Sequence, residues 1–150
     1  MRGWQFAVLS LVVFPFLTFQ WVSLLPHVAE LEPEEVGMLT VVLEDQIAQS
    51  KTDPSEFGIY YIAIKENDPP DELMSRLRKH DVRRNSTDDQ PNSCFGSGWH
   101  FNVSTWNQLD DSTFEVHAGQ GRMQDTYRVI YRGGAWAIDH VDRSPPVSVD

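Results

Sequence analysis

Between Gly3 and Pro26 the chain carries no charged residue, and Trp4 to Leu25 is dominated by Phe, Leu, Val and Trp. As a helix those 22 residues would measure about 33 Å, enough to cross a hydrocarbon core of about 30 Å. Trp4 and Trp21 fall near its ends, where amphipathic rings prefer the headgroup level. Pro15 would kink such a helix without forbidding it. A cleaved signal peptide and an uncleaved signal anchor would both export the rest of the chain. Cleavage needs small residues at alternate positions. Ser23 lies two residues after Trp21 and Ala29 two after His27, so neither is a good site. The expectation is therefore a signal anchor over 1–29, with a transmembrane helix at about 4–25. Arg2 precedes the segment and Glu30, Glu32, Glu34 and Glu35 come after it, which keeps the amino end inside and the rest outside, periplasmic or extracellular.

The remaining residues, 30–150, suffice for one domain with one core. Its apolar content of 41% in the whole chain argues for a folded domain rather than general disorder. Arg2 is one of twelve basic groups, so the chain beyond the apolar segment holds 11 of them against 22 acidic ones. That balance disfavours nucleic acid, which is held by clustered Lys and Arg, and anionic lipid surfaces alike. Arg76, Arg78, Lys79, Arg83 and Arg84 form a short basic run, better read as the end of a helix than as a phosphate site. The bilayer is the partner expected for the N-terminal helix, with a protein or a small apolar ligand for the domain. Cys94 is the single cysteine, so no intrachain disulfide or cysteine-rich metal site can form.

Val36, Leu39, Leu43 and Ile47, widened by Val42, recur at helical spacing and predict a helix over Pro33 to Gln49. The β-branched and aromatic run Ile59-Tyr60-Tyr61-Ile62-Ala63-Ile64, within Phe57 to Lys65, predicts a strand buried on both faces. Asp68-Pro69-Pro70-Asp71-Glu72 offers a capping carboxylate and a proline for a second helix ending near His80, with Leu73, Met74 and Leu77 on its apolar face. Asp81 to Ser97 reads as a loop. Trp99 to Trp106, Ser112 to Ala118, Thr126 to Arg132 and Ala135 to Val141 read as four strands, the last two joined by Gly133-Gly134. Alternation places Trp99, Phe101, Val103, Phe114, Val116, Ala118, Tyr127, Val129, Tyr131, Trp136 and Ile138 on one wall, where Trp136 should meet the first helix near Leu39 and Leu43. Glu115, His117, Arg128, Arg132 and Asp139 fall on the other. The whole is an α+β domain: two helices on a curved, mainly antiparallel sheet of about five strands.

That order of elements, closing with Tyr127-Arg128-Val129 and Gly133-Gly134-Ala135-Trp136-Ala137-Ile138, resembles the small exported domains of the nuclear transport factor 2-like, cystatin-like group over about residues 33–142. The resemblance implies a curved antiparallel sheet with helices on its concave side, sometimes around a pocket. The group holds isomerases and dehydratases as well as members without known activity, so the fold does not carry the function.

His140 continues the alternation of Trp136 and Ile138, so it is the candidate base of a pocket shared with Tyr127, Tyr131 and Trp99. The competing reading leaves it half-solvated at a strand end. His117 and Asp139 share the outer face without a third metal ligand, while His80 and His100 belong to a helix end and a strand start. No nucleophile elbow, zinc-protease, phosphate-loop or dinucleotide motif occurs, and neither a metal nor a cofactor is expected. Asn85-Ser86-Thr87 and Asn102-Val103-Ser104 match the glycosylation pattern, relevant only in a eukaryotic source. The leading function is a membrane-tethered, non-catalytic interaction or ligand-binding domain. The alternative is a small isomerase or lyase acting on an apolar ligand between sheet and helix, with His140 as base. The full-length protein should fractionate with membranes and resist alkaline extraction; a soluble mature form beginning near Ala29 or Glu30 is the contrary result.

Overall fold

The helical stripe read from the sequence packs as its spacing requires. A computed structural model describes residues 27–50, 58–85, 98–120 and 123–144. In it α1 (Pro33–Ser50) buries Val36, Leu39, Val42, Leu43 and Ile47, with Met38 added to the same face. Glu35 secures the start of α1, one carboxylate oxygen accepting the Glu32 amide at 2.9 Å as in a capping box. Its other oxygen accepts the Trp106 indole N–H at 2.7 Å. Lys65 lies 3.5 Å above that indole ring, so one tryptophan joins helix, sheet and a cation. Among the described residues no helix is long and apolar enough to cross a membrane. The segment read as an anchor, 1–26, lies outside them.

The six strands are β1 (Ile59–Ile64), β2 (Asp81–Arg84), β3 (Trp99–Asp110), β4 (Thr113–Gln120), β5 (Met123–Arg132) and β6 (Ala135–Asp142). They form one mixed sheet in the order β2-β1-β3-β4-β5-β6. β1 is parallel to both neighbours, and the remaining pairs are antiparallel. The expected five strands are thus six, because Asp81–Arg84, read as the start of a loop, pairs with β1. Its three charged residues of four hide it from any apolar pattern, and only the neighbouring strand makes it a strand. Cys94 and residues 86–97, the rest of that loop reading, lie outside the described residues. β1 is buried on both faces as expected.

The second helix is shorter than its motif implies. α2 spans Asp71–Arg76, its cap is Pro70, and no side chain caps it. Asp68 instead ties the incoming chain to the end of β1: its amide donates to the His27 carbonyl and its carbonyl accepts the Ala29 amide, both at 2.8 Å. Leu73 and Leu77 are buried against the core.

The described strands hold three register shifts: one between Gln108 and Asp110 near the end of β3, and two β-bulges that re-aim residues central to the sheet. Val103 pairs with Ala118 and Thr105 with His117, leaving Ser104 unopposed, so Trp106 comes round to the inner face opposite Val116. The Ser104 hydroxyl donates to the His117 carbonyl at 3.2 Å and lies 3.0 Å from the Gln124 amide oxygen. At the other bulge Val129 pairs with Ile138 and Arg128 with His140, leaving Asp139 unopposed. His140 therefore stands exposed on the outer face opposite Arg128, and Val141 takes the inward place opposite Tyr127. Strict alternation put His140 inward; one extra residue in β6 reverses it.

Trp136 packs against the core that α1 lines and comes close to the helix backbone at Gly37. A Cβ on Gly37 would lie 2.7 Å from the indole Cδ1. The indole is half-buried and meets Phe114 edge-on, with ring centroids 5.6 Å apart. Gly119 is tighter still, since its Cβ would lie 2.0 Å from the Met123 carbonyl oxygen across the β4–β5 pair. Trp136→Ala should cost roughly 2–3 kcal/mol in denaturant melts, below the ~3–5 of a fully buried ring. Gly119→Ala should cost at least as much, because backbone must move, and Asp139→Ala under about 1 kcal/mol. An inverted order would mean that the register of β6 differs from that described.

Candidate functional site

The four residues read as one pocket are dispersed. Tyr127 is buried under the C-terminal half of α1, and Tyr131, four residues on along β5, is 49% exposed near its N-terminal half. Trp99 stacks on Phe101 with centroids 6.3 Å apart. His140 is on the other side of the sheet. What the structure brings together instead are two sites on α1, a polar network and a groove.

The network centres on Tyr127. Its hydroxyl donates to Asp45 Oδ2 at 3.0 Å and accepts from Gln46 Nε2 at 2.6 Å. Gln46 also donates to Asp125 Oδ2 at 3.2 Å. Arg143, just beyond β6, bridges the two carboxylates, reaching Asp45 at 2.9 Å and Asp125 at 3.0 Å. Burial, then the charge of Asp45 and its hydrogen bond, push the Tyr127 phenol well above its ordinary pKa. Burial is the largest single influence on Arg143 and works against its charge, but the hydrogen bonds and charges of Asp45 and Tyr127 together exceed it and the guanidinium pKa is raised. A phenol held protonated, with every near partner satisfied, is suited to locking the end of β6 onto α1 and unsuited to proton transfer near neutrality.

The groove lies beside the N-terminal half of α1, between it and the β5–β6 hairpin. Its volume is about 630 Å³, and Gly37, Thr40, Val41, Arg76, Tyr131 and Trp136 line it together with Glu34 and Asp111. The hairpin turn needs positive φ at both Gly133 (63°) and Gly134 (86°), and it sets Tyr131 opposite Trp136. Their rings are 5.1 Å apart and inclined by 56°. Asp111 sits in the β3–β4 turn, where the Ser112 amide donates to Asp110 at 2.8 Å and holds that carboxyl below the usual range. Arg76 is paired with Glu72 at 2.8 Å on an exposed surface.

On the outer face His117 has both ring nitrogens occupied. Nδ1 is 3.1 Å from the Thr126 hydroxyl and Nε2 is 3.3 Å from Glu115. Asp139 stands apart on the bulge, and among the described residues no three His, Cys, Asp or Glu side chains gather as a metal site. His100 stacks on Tyr61 and His80 meets Tyr60 edge-on. Asn102 is mid-sheet with its Oδ1 buried and without a hydrogen-bond partner.

Comparison of the chain with protein families, with curated proteins and with solved structures gives no match.

Sequence reasoning overlooked Asp45, Gln46, Asp125 and Arg143, and read Glu35 and Arg76 only as members of charged runs. One signal was present: Gln46 and Ser50 fall on the apolar stripe of α1, three residues after Leu43 and Ile47 respectively, and a polar side chain there needs a buried partner. Tyr127→Phe should cost about 1–3 kcal/mol by leaving Asp45 and Gln46 short of a partner. The folded-state phenol pKa lies above that of the unfolded chain, so its contribution is whole below about pH 10 and is lost as pH rises beyond it. Alkaline stability profiles should therefore decline more gently for Tyr127→Phe than for the parent. Parallel profiles would remove the network from that role.

Proposed function

We propose that this chain is a membrane-tethered extracytoplasmic domain that works by binding, not catalysis, through the groove between α1 and the β5–β6 hairpin. The observation that carries the reading is a concave site with two accessible aromatic rings and a few charged groups at its border. Its volume is within the range of ligand sites, about 300–1,000 Å³. The uncharged run Trp4 to Leu25 supports the tether, and the acidic residues after it support export. The nuclear transport factor 2-like reading of a curved sheet is supported by a helix that precedes and covers a four-strand meander, β3 to β6. The isomerase or lyase reading required His140 in a pocket with a phenol or an acid. His140 stands on the sheet face away from the groove, which favours the binding reading.

The groove also lies near the tether. Pro33 and Glu34 border it, and Leu25 is only eight Cα–Cα steps before Pro33. Those span at most about 29 Å when fully extended. A photo-crosslinking amino acid at Tyr131, in the full-length protein in its native membrane, should give discrete adducts that Val41→Phe, filling the groove, removes. The same group at Thr105, exposed on β3, should give none of them. Absence of adducts at Tyr131, or an identical set from both positions, would overturn the groove as the binding site.

A further inference from the structure

The charges around the groove are of both signs and sit in distinct places. Glu34 borders it from the first turn of α1 and Asp111 from the β3–β4 turn, both exposed. Arg76 enters from the end of α2. Its Nη1 lies 3.8 Å from the point that a Cβ on Gly37 would occupy, the same point that the Trp136 indole approaches to 2.7 Å. An indole and a guanidinium therefore share one wall, on the scale of a single small headgroup. Arg76 pairs with Glu72 through side chains that are 45% and 53% exposed. Such surface pairs are weak, so the guanidinium can turn to an anion at little cost.

Tyr131 and Trp136, 5.1 Å apart and inclined by 56°, pack against each other as a two-ring aromatic surface on the groove wall. Ring faces meeting at an angle, with carboxylates nearby, suit an organic cation too large and too weakly hydrated for a conventional ion pair; quaternary ammonium groups are held in this way. An acidic chain disfavours anionic lipid, while a zwitterionic ligand would find both of its charges answered here. The short link to the apolar N-terminal run puts the groove within reach of a bilayer surface.

We propose that the groove holds the zwitterionic phosphocholine headgroup of a membrane phospholipid. The quaternary ammonium lies against Tyr131 and Trp136 and faces Glu34 and Asp111, and the phosphate pairs with Arg76. This rests on the groove being the binding site, and the test separates the two statements.

The full-length protein, ¹⁵N-labelled at its indoles and held in a non-ionic maltoside micelle, is titrated with phosphocholine, choline and the neutral isostere 3,3-dimethylbutan-1-ol. The Trp136 indole signal is assigned by its loss in Trp136→Phe. Phosphocholine and choline should shift it saturably, with the isostere at least fivefold weaker. Arg76→Gln should bring phosphocholine down to the affinity of choline and leave choline unchanged. Glu34→Gln combined with Asp111→Asn should weaken both at least fivefold. In nanodiscs, phosphatidylcholine should reproduce the shift and phosphatidylglycerol should not. If the isostere binds as well as choline, the groove remains a binding site but the headgroup proposal fails. If none of the three compounds moves the indole, both statements fail. A shift with free phosphocholine but equal spectra in the two nanodiscs overturns the lipid as its source.

Discussion

A six-stranded sheet is wider than the helix laid on it, and most of this molecule follows from that mismatch. With neighbours about 4.8 Å apart, the outer strands lie some 24 Å from one another, whereas a helix with its side chains is only about 10–12 Å across. α1 lies over β3 to β6, closest to the edge strand β6, and leaves the rest of the inner face to other cover. α2 packs on α1, and Leu73 within it and Leu77 just after it are buried in the same core. On the β5–β6 side Trp136 fills part of the gap, half-buried against Gly37. The part left uncovered there is the groove.

The helix is held over the sheet at both ends by polar contacts, which fix it where apolar packing alone would allow it to slide. At the start Glu35 serves its own helix and the Trp106 indole together. Toward the other end Asp45 and Gln46 meet Tyr127, with Arg143 closing the ring from beyond β6. Each buried polar atom in that second contact depends on the others, so losing one leaves several short. The groove lies toward the first contact, so its walls are fixed by Glu35 and by the Trp136 seat on Gly37.

The bulges decide which chemistry each face can have. Without Ser104 as an extra residue, Trp106 would be on the outer face and Glu35 would lose its partner. Without the extra residue at Asp139, His140 would stand inward beside Tyr127, and a base–phenol pair would exist. As folded, the inner face offers rings and a protonated phenol, while the outer face carries Glu115 opposite Arg128 and His140 beside them.

The sequence by itself determined the α+β class, the stripe of α1, both-face burial of β1 and the tight Gly133-Gly134 hairpin, since each rests on a period or a turn requirement confined to a few adjacent residues. It also determined the one cysteine, the acidic balance and the uncharged run before Pro26. Only the tertiary structure decided the sixth strand, because Asp81–Arg84 becomes β through its pairing with Ile59–Ile62 and has no apolar pattern of its own. It alone decided the direction of His140 and Trp106, because a bulge is a property of two strands and is silent in either one. The network of Asp45, Gln46, Asp125, Tyr127 and Arg143 and the groove walled by Tyr131, Trp136 and Arg76 join residues up to 98 positions apart, and separations of that length are set by how the elements pack.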